Sequence, residues 1–175
     1  MGNHLSVRVR SLFSRKQRRV LLLGVDGSGK TTLFKLLSSL DNKETVPTTE
    51  TKLSTVAYKG YEIILTDVGG QGHLRPFWRH HYTGSQGIIY MIDSLDTERI
   101  EKAKKELELT LADAQLEGTP VLVFANKQDD IISSNISFNI PSNANRKITV
   151  IGCSARSGQG VYEGLDWLIQ HMERM

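Results

Sequence analysis

The sequence predicts an α/β domain: a six-stranded, mostly parallel sheet with one antiparallel hairpin strand and helices on both faces. Three observations predict it. Six short runs rich in branched and aromatic residues recur along the chain, helical stripes lie between several of them, and four of the six runs are nearly continuous in apolar side chains. Strands covered on both faces of a parallel sheet read in that way.

The first run, residues 19–23, is too short for a helix and leads into a glycine-rich turn, with Thr31–Leu40 as the first helical candidate. Runs 53–58 and 61–66 are separated by Lys59-Gly60 alone, a two-residue hairpin turn that makes this pair antiparallel. Runs 87–92, 120–125 and 148–152 complete the strands. Ile100, Ala103, Leu107, Leu111 and Ala114 step by three or four, as do Val161, Leu165, Leu168, Ile169 and Met172. Each set makes one apolar stripe on a helix. Residues 131–147, dominated by Asn and Ser around Pro141, read as loop without an assigned role.

A chain of 175 residues with 39% hydrophobic content fits one domain with a core of its own. Its net charge of +3 is unevenly spread. Arg8, Arg10, Arg15, Lys16, Arg18 and Arg19 lie in residues 1–19, which hold no acid; the other 156 residues carry 16 basic and 19 acidic groups, a net of −3. The folded body is therefore mildly acidic, which argues against a nucleic-acid partner. The single cysteine, Cys153, excludes a disulfide framework and suits a reducing cytosol. No apolar run approaches the ~20 residues that cross a bilayer. The five histidines lack metal-ligand spacing, and His80-His81 reads as part of a solvated helix face.

Gly24-Val-Asp-Gly-Ser-Gly-Lys-Thr31 fits G-x-x-x-x-G-K-[ST], after a strand and before a helix. A glycine-rich turn lets successive N–H groups converge on phosphate oxygens, and the following helix adds its positive end. The phosphate-binding candidates are Gly24, Asp26, Gly27, Ser28, Gly29, Lys30, Thr31 and Thr32. Lys30 reaches the β- and γ-phosphates, and the Thr31 hydroxyl ligates Mg²⁺. Asp67, at the end of a buried strand, suits a second Mg²⁺ support through water. The Gly69-Gly70 pair after it allows a backbone N–H, that of Gly70, close to a γ-phosphate.

Asn126-Lys127-Gln128-Asp129 ends the fifth strand, and Cys153-Ser154-Ala155-Arg156 follows the sixth. A carboxylate such as Asp129 accepts two bonds from the N1–H and N2 edge of guanine, and adenine offers no such pair. The Lys127 stem can lie along the base, and the Ala155 N–H, beside Ser154, can donate to guanine O6. The nucleotide is read as GTP or GDP.

These elements in this order resemble a Ras-type small GTPase, and more narrowly the ADP-ribosylation-factor (Arf and Arf-like) family. The similar stretches are residues 24–32, Asp67-Val-Gly-Gly-Gln71 with Leu74–Arg79, Phe124–Asp129 and Tyr162–Trp167. The resemblance implies a P-loop GTPase fold and a switch between GDP and GTP forms. It implies that Thr48 ligates Mg²⁺ and senses the γ-phosphate, that Gln71 orients the attacking water, and that Lys30 and Mg²⁺ offset charge. It makes the 59–60 hairpin an interswitch that shifts register on exchange and expels the N-terminal segment. Exchange factors, a GTPase-activating protein and effectors are the implied partners. The implied place is the cytosolic face of a Golgi or other endomembrane, in vesicle trafficking.

The chain departs from the family at Thr49, Glu50 and Thr51 after the switch threonine, at Thr66 before Asp67, and at His81. Thr51, Thr66 and His81 stand at aromatic effector-contact positions, so a rewritten partner surface around an intact nucleotide site is expected. No arginine lies in residues 40–47, so no counterpart of the in-cis arginine of Gα subunits is found there. Slow hydrolysis that depends on an activating protein is expected, since an arginine supplied in trans is worth roughly 10³–10⁵ in rate. A GTP-binding scaffold with little hydrolysis is the alternative. A P-loop small-molecule kinase fits less well, because Asn126–Asp129 selects guanine and no lid arginines follow.

Residues 1–17 read as a basic amphipathic membrane-anchoring segment ahead of a GTP-binding domain, 18–175. Met1-Gly2-Asn3-His4-Leu5-Ser6 fits M-G-x-x-x-[ST], which makes Gly2 a myristoylation candidate. Leu5, Val9, Leu12 and Phe13 share a helical face, and the alternation Leu5, Val7, Val9 also fits a strand. One acyl chain binds membranes marginally, so the basic residues supply the second signal.

Overall fold

The computed structural model describes residues 16–40, 46–47, 51–129 and 145–172, with backbone only at 46–47. Gly2, Thr48, Thr49, Glu50 and most of the Asn/Ser-rich segment lie outside the described residues.

The strands are β1 (Lys16–Gly24), β2 (Val46–Pro47), β3 (Thr51–Tyr58), β4 (Tyr61–Val68), β5 (Gly87–Asp93), β6 (Val121–Asn126) and β7 (Ile148–Gly152). The α-helices are α1 (Lys30–Ser38), α2 (Thr97–Leu111) and α3 (Val161–Met172), with 3₁₀ turns at Arg75–His81 and Ala114–Leu116. All six expected strands form. The seventh, β2, is two residues long and carries a proline, as an edge strand tolerates.

The sheet order is β2-β3-β4-β1-β5-β6-β7. Only β3 runs against its neighbours: it is antiparallel to both β2 and β4, and the rest of the ladder is parallel. The β3–β4 hairpin turns at Lys59 (φ 44) and Gly60 (φ 81), the two successive positive φ values that a type I′ turn needs.

The near-continuous apolar strands are buried on both faces. One face packs Val20, Leu22, Ile89 and Phe124 against Leu33 and Phe34 of α1 and Leu165 and Leu168 of α3. The other packs Leu21, Leu23, Tyr90 and Val123 against Ala103 and Leu107 of α2 and Trp78 of the 3₁₀ turn. The expected stripe of α2 is present to Leu111, where the α-helix ends, and Ala114 begins the next 3₁₀ turn.

Two expectations are corrected. β1 starts at Lys16, so a boundary after residue 17 would cut the strand: Lys16 and Gln17 pair with Tyr61 and Glu62, and Arg18 lies over the Tyr61 ring. Lys16, Arg18 and Arg19 are thus sheet residues. The 80–81 pair is not wholly solvated: His80 is exposed, but His81 is half-buried, its Nε2 3.3 Å from Thr51 Oγ1.

Arg146, in the segment read as loop, is buried and donates to the carbonyls of Leu111 (2.8 Å) and Leu116 (2.9 Å). It satisfies the carbonyl ends of α2 and the following turn, which a helix leaves without intrahelical partners.

Candidate nucleotide-binding site

The site lies where β1, β4, β5 and β6 end and α1 begins. Residues 24–29 leave β1 through three left-handed glycines, Gly24 (φ 145), Gly27 (φ 75) and Gly29 (φ 98). Gly29 is the N-cap of α1 and makes no side-chain cap, and the first turn holds no acid. The helix therefore presents uncapped N–H groups and its positive end to the loop, the arrangement that binds phosphate. Thr31 and Thr32 open the helix with exposed side chains.

Lys30 is buried beside the loop, and its Nζ donates to the carbonyls of Gly24 (2.7 Å) and Val25 (3.0 Å). Burial lowers its pKa to about 8, against the pull of Asp67 and Asp26. Two of the three ammonium donors are used by carbonyls; an anion at the loop would satisfy the group far better. Asp67 is also buried, and burial raises its pKa while Lys30 and Lys52 oppose the shift. Such a carboxylate gains from a divalent cation. Thr31 and Asp67 supply the hard oxygen donors that Mg²⁺ takes, and such sites complete its shell with phosphate and water. Among the described residues, no group of three or more His, Cys, Asp or Glu could hold a metal unaided.

Gly70 follows β4 and sits on the phosphate loop. Its carbonyl accepts the Asp26 N–H at 3.1 Å and Arg75 Nε at 3.2 Å. A Cβ built on Gly70 would come within 2.2 Å of Lys30 Nζ and 2.4 Å of the Gly24 carbonyl, so only glycine fits. Trp78, buried in the 3₁₀ turn, donates from Nε1 to the Gly69 carbonyl at 2.8 Å. Gln71 is exposed at the start of this segment.

The candidate base-binding corner is built around Asn126, the last residue of β6. Its Nδ2 donates to the Ser28 carbonyl (2.9 Å), and its Oδ1 accepts the Ala155 N–H (2.8 Å). The Ala155 N–H, expected to face guanine O6, is therefore directed at Asn126. Asp129 accepts a hydrogen bond from the Ser154 hydroxyl through Oδ1. Lys127 takes a left-handed backbone (φ 70), and its Nζ meets Asp93 Oδ2 at 2.6 Å, which fixes the stem. Cys153 is buried and its thiol pushed up to about 12, so it is inert at neutral pH. The structure thus gathers Gly24–Thr32, Asp67, Gly70, Asn126, Lys127, Asp129, Ser154 and Ala155 at one end of the sheet.

Sequence reasoning missed two contributors. Arg75 and Arg99 reach the loop from the 3₁₀ turn and from α2, each within 3.6 Å of Asp26. Arg75 lies within the stretch Leu74–Arg79, and Arg99 follows the helix-capping Asp96 by three residues.

The model of the ADP-ribosylation factor family matches residues 5–172. The chain belongs to the ADP-ribosylation factor family. It is 42% identical over 164 residues to ADP-ribosylation factor J of Dictyostelium discoideum, spanning 90% of this chain and 87% of that protein. In fold it is similar to the solved Arl6 BBS3 small GTPase of Trypanosoma brucei with bound GppNp, at TM-score 0.73 and 23% identity, covering 91% of this chain and 99% of the other. As a member of this family of small GTPases, the chain binds guanine nucleotide and hydrolyses GTP to GDP.

Proposed function

We propose that the chain is a GDP/GTP-regulated switch rather than a GTP-binding scaffold. The observation that carries this reading is the seat of Gly70 on the phosphate loop. A phosphate placed against the Asp26 N–H has to displace the Gly70 carbonyl. Gly70 continues β4, and Arg75 and Trp78 grip the Gly69-Gly70 carbonyls. The third phosphate is thereby coupled to the β3–β4 hairpin and to the 3₁₀ turn.

In this reading Gln71 positions water for attack on the γ-phosphate and Lys30 offsets developing charge. Thr31, Asp67 and Thr48 support Mg²⁺, which supplies charge neutralisation between the phosphates. Asn126, Lys127, Asp129, Ser154 and Ala155 hold the guanine. Hydrolysis is slow without an activating protein. Single-turnover hydrolysis with and without such a protein, alongside Trp78 fluorescence in a Trp167→Phe background, tests this. A stimulated rate and a fluorescence change on exchanging GDP for GTP are expected; no stimulation and no change would leave the scaffold.

The anchor belongs to the same proposal: Gly2 carries myristate, and the GTP form binds the cytosolic face of endomembranes in trafficking. Because Lys16, Arg18 and Arg19 belong to β1, the electrostatic share falls on Arg8, Arg10 and Arg15, at about 1 kcal/mol each near anionic lipid. Among the described residues no helix is long and apolar enough to cross a membrane. Vesicle flotation of the myristoylated chain and of Gly2→Ala tests the lipid; a Gly2→Ala chain that floats equally well contradicts it.

The partner surface is proposed to differ from the family's. Thr51 and His81 contact each other, and Thr66 is buried on β4 opposite Leu53, which puts polar groups in place of aromatic ones. Ordinary-strength binding of a typical Arf effector to the GTP form would refute this.

A further inference from the structure

Asp26 is an acid in a loop that collects phosphates. It is the third residue of the loop, and its carboxylate is about half exposed. Its N–H donates to the Gly70 carbonyl, and its carboxylate acts electrostatically on Lys30, the side chain read for the β- and γ-phosphates. A carboxylate there repels a triphosphate more than a diphosphate.

Two guanidinium groups meet it. Arg75 Nη2 lies 3.6 Å from Oδ1, and Arg99 Nη1 lies 3.6 Å from Oδ2. Arg75 is shared: it also meets Glu106 at 2.8 Å and the Gly70 carbonyl at 3.2 Å. Arg99 is aimed at the loop. Its Nη1 also donates to the Asp26 carbonyl at 3.4 Å, and a Cβ on Gly27 would sit 3.5 Å from its Nη2. Asp96 fixes that aim. As the N-cap of α2 it accepts the Arg99 N–H through Oδ1 at 3.2 Å, and it holds Arg99 Nε through Oδ2 at 2.5 Å. One residue thus starts the helix and turns the guanidinium onto the loop.

Resting on the reading that residues 24–31 hold the nucleotide phosphates, we propose that Arg99 is a positioning residue for the third phosphate. It neutralises Asp26 and draws the carboxylate toward α2, so that the loop accepts GTP without discriminating against it relative to GDP. The arginine acts through Asp26 and on the ground state of binding, so its removal alters nucleotide preference rather than overall affinity.

The test uses the full chain in millimolar Mg²⁺ with mant-GDP and mant-GppNHp as probes, comparing wild type with Arg99→Ala, Arg99→Gln, Arg99→Lys, Asp26→Ala and the Asp26→Ala/Arg99→Ala double variant. Arg99→Ala and Arg99→Gln are expected to weaken mant-GppNHp about tenfold relative to mant-GDP, a coupling of ordinary size between charged sites. Arg99→Lys keeps the charge and most of the preference. In the double variant the ratio returns to that of Asp26→Ala, because no carboxylate is left to neutralise. Equal weakening of both nucleotides, or a loss that persists in the double variant, would overturn the proposal. Lys30→Ala separates the premise: if it binds both nucleotides like wild type, the phosphate-loop reading itself fails, whatever Arg99 does.

Discussion

Asn126 Nδ2 donates to the Ser28 carbonyl at 2.9 Å, joining the end of β6, the corner proposed for the base, to the glycine-rich loop through one buried side chain. Residues 98 positions apart in sequence are held by that bond. Replacing Asn126 by Asp keeps the shape but sets a carboxylate oxygen against a carbonyl. A buried bond of this kind lost to an unsatisfied group costs about 2 kcal/mol, roughly thirtyfold in affinity. Asn126→Asp should therefore weaken mant-GDP and mant-GppNHp alike, as titration would show.

Gly70→Ala tests the closeness of β4 to the loop. The added methyl meets Lys30 Nζ, the Gly24 carbonyl and the Val25 carbonyl carbon, all nearer than 3 Å. Overpacking of this sort costs about 1–3 kcal/mol. A fall in melting temperature of roughly 5 °C is expected for a chain of this size, together with a smaller Trp78 fluorescence change on nucleotide exchange.

The buried Lys30 makes stability depend on pH. Its pKa is lowered to about 8 from 10.5, chiefly by burial. Below pH 8 it is charged in both states and the burial cost is fully present. Between pH 8 and 10.5 the unfolded chain holds a proton that the folded chain has released, so stability rises with pH across that window. Without nucleotide, the stability gap between wild type and Lys30→Met should shift in favour of wild type by roughly 3 kcal/mol between pH 8 and pH 10.5. A gap that stays constant with pH would contradict this origin.

Arg146 closes the far end of α2. Removing it leaves the Leu111 and Leu116 carbonyls without their buried donor. Arg146→Met is expected to cost about 3 kcal/mol, near 10 °C in melting temperature, with nucleotide preference unchanged. Arg146→Lys, with one compact ammonium for two carbonyls, should recover only a fraction of it.

Asp166 tethers the hairpin tip to α3, accepting from Tyr58 Oη at 2.9 Å and from Lys59 Nζ at 2.6 Å. Both charged side chains are largely exposed, so the pair contributes less than ~1 kcal/mol to global stability. Asp166→Ala should barely move the melting temperature, yet speed amide exchange over residues 58–61, as local opening does where few buried contacts oppose it.

What the sequence made legible were features with local causes. The phosphate loop, the 59–60 turn and the α2 and α3 stripes each depend on residues near one another in the chain, and each formed where its pattern lies. Contacts between distant segments were hidden. Nothing in the order of residues says that Arg99 meets Asp26, that Arg146 reaches back to Leu111, or that His81 finds Thr51. The two-residue β2 pairs with β3 and is too short for any pattern of its own to show it. The residues proposed to hold guanine could be picked out by type, but the engagement of the Ala155 N–H by Asn126 could not, because it depends on how distant loops converge.

The place of β1 has a mechanical consequence. It is the central strand, parallel to β4 on one side and β5 on the other, and it is the point where residues 1–15 join the sheet. A force applied along the strand through those residues enters at Lys16, where the β4 ladder alone resists it in shear, and from Val20 onward both ladders share it. The same force along an edge strand would be resisted by a single ladder. Load entering at Lys16 is thus carried by the sheet, with the strain delivered to Gly24, where β1 opens into the phosphate loop.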